Sequence, residues 1–508
     1  MANGVELYFE DHRPSPELGR LAVRGGVASV ASQYGNGALQ VIAAIVFARL
    51  LTPEDFGLVA IVTVLTSFAP FLIDFGLGDA TAQRTKITHG EVSSLFWLAT
   101  AIGLAITIAI AACSPLIARM YQEPRLQSIA LCYSITFVLA GISGQHIALL
   151  RRTMQFALVA KIQVLSTLVG LVLAIITALC GYGYYALVVR PIVSVGCVAI
   201  GAWSMCPWRP GLPVFDREVW SMVRFGMHVV SFSVTYSLAR AADRIGLGLF
   251  YRPTDVGYYQ NAVTIYDNSI FSALIMLHNV GSAALSKLRS RPAELQQRYE
   301  AALSAVAFFM MPAAVILSVT AQDLTIILLG ERWRACGFLL SILSLRGIFD
   351  VIDGSQGWLH LSLGRADRWK NWGIIFAAVQ VVAVLVGLSF GPAGVAVAAV
   401  VTSLLICLPA ISYAGRPAGI GAGLVVRAVG PQVLSAIATA AAGHVLQAVA
   451  FGHLSGFLRM PLSVAFCIAT YLLIVVGVFR VTAPIELAGR LVREHLPATA
   501  LRWVNSRS

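Results

Sequence analysis

The sequence predicts an all-α integral membrane protein with about fourteen transmembrane helices, grouped as six, six and two. Three observations predict it. Of 508 residues, 58% are hydrophobic and only 12% charged, with a mean hydropathy of +0.80; soluble chains carry about 25% charged residues. Apolar runs of roughly twenty residues, enough to cross a ~30 Å hydrocarbon core, recur along the chain. A five-residue pattern also occurs twice, as Pro53-Glu-Asp-Phe-Gly57 and Pro253-Thr-Asp-Val-Gly257, each between two apolar spans. That spacing is half a molecule, too long for a solenoid, and marks an internal duplication.

In order, residues 1–27 form an N-terminal tail. It carries Glu6, Glu10, Asp11 and Glu17 and no early apolar core, so it reads as a cytoplasmic tail and not a cleavable signal peptide. The first lobe, 28–208, holds spans at 28–51, 56–78, 92–114, 126–148, 158–180 and 182–204. The second, 209–415, holds spans at 219–251, 256–281, 299–320, 336–361, 371–390 and 393–413. Two more, 423–449 and 458–480, lie in 416–482, and 483–508 is a basic tail. The longest connections are Cys206–Glu218, Ser282–Arg298 and Ala321–Ala335, so no soluble domain is left for chemistry. Trp203, Trp208, Trp220, Trp333, Trp358, Trp369 and Trp372 fall near span ends, where interfacial anchoring is expected.

The net charge of +12 is distributed as the positive-inside rule requires. One set of loops holds Arg84, Lys86, Arg151, Arg152, Arg209, Arg217, Lys287, Arg289, Arg291, Arg365, Arg368, Lys370 and Arg416. The other holds Arg119, Arg125, Arg252, Arg332 and Arg334, with almost nothing at Gly181–Gly183 or Gly391-Pro392. The rich side is expected to be cytoplasmic, with both termini there. No compact basic domain exists for nucleic acid. The eight cysteines are scattered, without a CxxC pair or a Cys/His cluster, so neither a disulfide framework nor a metal site is expected.

Charges inside the spans are costly and usually face protein or a water-filled cavity. Arg240, Asp243 and Arg244 share one helix face at i, i+3, i+4. Asp243 lies ten residues before Pro253, about 15 Å at ~1.5 Å per residue, close to the midplane. Two readings stand: a structural ion pair, or an anion site in which one acid leaves one guanidinium available, since forked guanidinium donors match phosphate oxygens. Arg346, Asp350 and Asp353, at i, i+4, i+7, allow the same two readings. Arg190, beside Pro191, snorkels or faces a cavity. Gln33, Asn36 and Gln40 form one polar stripe, either interhelical glue or ligand contacts. Asp267 and Asn268 lie near mid-depth in the eighth span. His228, His278 and His360 read as packed or interfacial. In the repeat register, Arg240 and Asp243 overlay Gln40 and Ala43.

No enzymatic constellation emerges: no Walker A, HExxH or GxSxG sequence occurs. ATP hydrolysis by this chain is not expected.

Phe47-Ala-Arg-Leu-Leu-Thr-Pro-Glu-Asp-Phe-Gly57 resembles the start of the Wzx-type polysaccharide flippases. The run from Ala242 to Tyr259 resembles their seventh-helix motif. These belong to the multidrug/oligosaccharidyl-lipid/polysaccharide exporter superfamily, and the likeness is greatest to exopolysaccharide exporters of the succinoglycan or colanic-acid type. The resemblance implies two six-helix lobes around a central cavity, plus two extra helices, in a bacterial inner membrane. It implies transfer of an undecaprenyl-diphosphate-linked oligosaccharide to the periplasmic leaflet by alternating access without ATP. A polysaccharide polymerase and co-polymerase are implied partners beside membrane lipid, and no cofactor is implied. Arg190, Arg240, Arg244 and Arg346 would then meet the diphosphate, and Gln33, Asn36, Gln40 and Asn268 the sugar. Asp243, Asp267, Asp350 and Asp353 would be ion-coupling candidates. Two rivals are a cation-coupled multidrug antiporter, whose cavity would want net acidic groups, and a membrane polysaccharide polymerase, which would want a large periplasmic loop.

Overall fold

The computed structural model describes residues 35–74, 81, 87–214, 230, 234, 237–286, 288–289 and 291–486. Packing divides the chain into two compact units, Met1–Gln260 and Asn261–Ser508. The described residues contain helices and no strand.

Unit 1 begins with α1 (Gly35–Leu50). Thr52 then caps α2 (Pro53–Leu65): its Oγ1 accepts from the Asp55 amide at 3.3 Å, and Asp55 Oδ2 accepts from the Thr52 amide at 2.9 Å. Pro53 fits the first helical position because its missing N–H would have had no partner there. The span continues through α3 (Ala69–Asp74). Next come α4 (His89–Met120), α5 (Arg125–Arg152), α6 (Phe156–Leu179) and α7 (Tyr185–Met205). α8 runs over 237–250, and α9 (Pro253–Tyr266) crosses from unit 1 into unit 2 at Gln260.

In unit 2, α9 passes into a π-helical turn, Asp267–Phe271, and then α10 (Ser272–Ser286). There follow α11 (Pro292–Leu329), α12 (Arg334–Gly354), α13 (Gln356–Ser362), α14 (Ala366–Leu388) and α15 (Gly391–Gly415). α16 (Ala422–Val449) and α17 (Gly456–Leu472) complete it. The last two pack on α11: a hydrogen bond of 2.9 Å joins the Gln432 amide to Ser304 Oγ, and another of 3.2 Å joins His444 to Ser318.

Among the described residues, eleven helices are long and apolar enough to cross a membrane, each at a predicted span. The other three predicted spans coincide with the shorter α1, with α8, and with the helix through α9 and α10. The protein is a multi-pass membrane protein.

Two expectations are corrected. The connections Ser282–Arg298 and Ala321–Ala335 are largely helical, because α11 is 38 residues long. At ~1.5 Å per residue it measures about 57 Å, well beyond the hydrocarbon core. Polar residues such as Glu294 and Gln296 end the apolar run without ending the helix. The tryptophans are also not simply interfacial anchors: Trp208, Trp333, Trp358 and Trp372 are buried. Trp372 stacks on Tyr413, and Trp358 meets Tyr299 edge-on. Trp208 sits in a fold of residues 206–214 that closes over α4, with Ser94 Oγ accepting from the Val214 amide at 2.7 Å. Position relative to a span end is legible in sequence, whereas the face a side chain takes is not. His360 is packed, as expected. His228 and Trp220 lie outside the described residues, as does the side chain of His278.

Candidate functional site

The seventh-span charges sit in a helical hairpin. The break at 251–252 folds α9 back beside α8, so residues equidistant from it become neighbours. Asp243 and Tyr259 are eight residues to either side of Tyr251, and the Tyr259 hydroxyl donates to Asp243 Oδ2 at 2.9 Å. Arg244 Nε pairs with Asp243 Oδ1 at 3.2 Å. The rest of the Arg244 guanidinium donates to Gln260 Oε1 (3.3 Å) and the Arg240 carbonyl (2.8 Å). Of the two readings, this geometry is that of the ion pair. Asp243 is buried, and Arg240 and Arg244 are half-buried.

Unit 2 contains a second arrangement of the same kind. Asp350, buried on α12, takes Arg346 Nε at 3.0 Å one turn away. It also accepts from the Tyr266 hydroxyl (2.7 Å) and Ser403 Oγ (2.8 Å). Asp353, one turn further, accepts from Gln356 Nε2 at 2.7 Å. Burying a carboxylate requires several such donors.

Arg190 differs. On α7 it donates to Gln40 Oε1 of α1. Among the described residues its side chain meets this neutral amide and no carboxylate. Asn36, one turn from Gln40, encloses its Oδ1 without a hydrogen-bond partner among the described residues. Gln33 lies outside them. Asp267 and Asn268 open the π turn, half-buried and exposed respectively, and the Asp267 carbonyl accepts from Ser272 Oγ at 2.9 Å.

The structure therefore brings Arg244 together with Asp243 and the Arg240 carbonyl, Arg346 with Asp350, and Arg190 with Gln40. The hydroxyls of Tyr259, Tyr266 and Ser403 escaped the sequence reading. The available signal was the i, i+7 spacing of the two tyrosines on one helix, since buried tyrosine hydroxyls normally find a partner. The pair Asp323–Arg459, joining α11 to α17, also escaped it, because Asp323 was assigned to a loop. At the turn before α5, Glu123 pairs with Arg125 at 2.8 Å, and that hydrogen bond holds its carboxyl below the usual range. The described residues contain no cluster of His, Cys, Asp and Glu suited to a metal.

Comparison with known proteins identifies the family and the fold. Residues 46–337, more than half of the chain, match the family described as polysaccharide biosynthesis protein. The lipopolysaccharide biosynthesis protein WzxC of Escherichia coli K12 is 23% identical over 348 residues, 67% of this chain and 70% of WzxC. The teichuronic acid biosynthesis protein TuaB of Bacillus subtilis 168 is 25% identical over 327 residues, 62% of this chain and 68% of TuaB. The solved structure of the lipid II flippase MurJ in an inward closed conformation superposes with a TM-score of 0.68 at 15% identity. It covers 90% of this chain and 99% of that one, which shows the fold. The matched family segment takes in both Pro-x-Asp-x-Gly motifs and all of α8. The chain belongs to the polysaccharide biosynthesis protein family.

Proposed function

We propose that the protein moves an undecaprenyl-diphosphate-linked oligosaccharide from the cytoplasmic to the periplasmic leaflet of a bacterial inner membrane, by alternating access without ATP. The relatives are named for lipopolysaccharide and teichuronic acid biosynthesis, and one fold neighbour is a lipid II flippase. The observation that carries the reading is Arg190, a guanidinium within a membrane helix whose partner is the neutral Gln40. A diphosphate in a low-dielectric path needs a cation that no carboxylate has already neutralised. Arg244 and Arg346 hold the two acids, so the headgroup contact is assigned to Arg190. Asn36 and Gln40 offer amides to the sugar. A cationic-drug antiporter would want acids without arginine partners; Asp243 and Asp350 both have one, whereas Asp353 has the neutral Gln356.

Arg190→Ala is expected to cut export about 10- to 100-fold, the equivalent of a charged hydrogen bond of ~1.5–3 kcal/mol, at unchanged membrane abundance. Arg190→Lys, which keeps charge but loses the fork, should fall between. The measurement is extracellular polysaccharide together with lipid-linked intermediate retained in the inner leaflet. Wild-type export from Arg190→Ala would remove it from the headgroup site.

Orientation has its own test. Reporter fusions after Arg152 and Arg291 should report cytoplasm, and one at Gly391 should report periplasm, from the Lys/Arg asymmetry of the loops. The reverse pattern would invert the direction of transport proposed above.

A further inference from the structure

The two copies of the repeated motif touch each other. Within unit 1 the first turns of α2 and α9 cross at their glycines. A Cβ on Gly57 would stand 1.6 Å from the Pro253 carbonyl oxygen and 3.1 Å from the Gly257 nitrogen. A Cβ on Gly257 would stand 1.9 Å from the Pro53 carbonyl oxygen and 3.0 Å from the Gly57 nitrogen. Gly57 thus faces Pro253 while Gly257 faces Pro53, the reciprocity of a two-fold contact between equivalent pieces. Only a residue without a side chain lets two helix backbones come so close. Any substitution here meets backbone, which cannot rotate away.

The start of α2 is fastened to its surroundings. Thr52 and Asp55 close the cap, Glu54 pairs with Arg125, and a Cβ on Gly183 would lie 3.2 Å from Asp55 Oδ1. The start of α9 follows the break at 251–252, and fourteen residues after Pro253 the helix enters the π turn Asp267–Phe271. A π turn interrupts the regular i→i+4 ladder and is a common place for a helix to bend. From Pro253 to the π turn α9 measures about 20 Å.

We propose that this crossing is a latch. It closes the transport path at the end where α2 and α9 begin, and the substrate passes that end only while the two first turns are parted. The inference rests on the transporter reading but not on the identity of the cargo. It explains why the motif is repeated: each copy supplies the glycine that the other copy's carbonyl requires.

The test uses the full chain with its eight cysteines replaced, in a background that still exports. Glu54→Cys and Thr254→Cys are joined by a short bis-maleimide with a cleavable spacer. Export should stop on linking and return on cleavage, while the unlinked double variant exports. In parallel, Gly57→Ala and Gly257→Ala force the turns apart. The reporter is Val256→Cys, at a position fully buried in the closed crossing. Minor conformations are populated at roughly 0.1–10%, so making the open one dominant should raise labelling by a membrane-impermeant maleimide about tenfold or more. Normal export by the linked protein overturns the latch. Unchanged labelling in both glycine variants, present at wild-type level, also overturns it. If the glycine variants do not accumulate, the linking arm decides. Labelling reports the state of the crossing whatever is carried, so failure of the latch and failure of the flippase reading give different results.

Discussion

Asp350→Ala is expected to destabilise the protein by about 3–5 kcal/mol, the cost of stranding a buried charge. Its carboxylate takes Arg346, Tyr266 and Ser403 at 2.7–3.1 Å. Without it the half-buried Arg346 guanidinium has lost its acid, and two hydroxyls lose an acceptor at about 1–3 kcal/mol each where no water replaces it. Thermal unfolding in detergent, read beside membrane abundance, measures the loss. Joint replacement, Asp350→Leu with Arg346→Met, should recover most of the stability, because a well-packed apolar pair matches or exceeds a buried ion pair. Export then separates two roles for Arg346. A stable double variant that exports makes the pair a structural lock. A stable double variant that does not export places Arg346 on the substrate. A single variant as stable as the wild type would show that Asp350 reaches water and would remove the argument.

The second large effect is expected at Asp323. It is almost fully enclosed, and Arg459 Nε reaches both carboxylate oxygens at 2.8 and 3.0 Å, with a further contact from Nη2. This pair ties α17 to α11 across 136 residues of sequence. Asp323→Ala should cost about 3–5 kcal/mol by the same stranded-charge argument. The loss should be local, since the neighbouring ties run through Gln432 and His444 on α16. Protease cutting after α16 should therefore rise in Asp323→Ala while cutting within unit 1 stays at its wild-type rate. Uniform sensitivity throughout the chain would contradict a role confined to docking the last helices. Arg459→Met with Asp323→Leu should restore resistance.

Composition and hydropathy alone determined that the protein crosses the membrane many times. They also located the eleven described helices that are long and apolar enough to cross it, because about twenty apolar residues have no other stable use in water. The repeat was legible too, since Pro53 and Gly57 recur as Pro253 and Gly257 in the same place between spans. Helical spacing put Arg346 and Asp350 one turn apart, and they pair as that spacing allows. What spacing could not supply was any partner on another helix. Tyr259 reaches Asp243 only because the hairpin folds at 251–252, and Ser403 reaches Asp350 across 53 residues. Arg190 has Gln40 for a partner across 150 residues, which no periodicity encodes. Charge counting made the α8 face net positive. Tertiary packing gives Arg244 and Arg346 to acids and sets Arg190, on α7, against an amide, because a buried carboxylate has to find donors. The meaning of the repeated glycines was hidden for the same reason. A glycine in sequence is only a missing side chain, and it takes the second helix to show which backbone occupies the space.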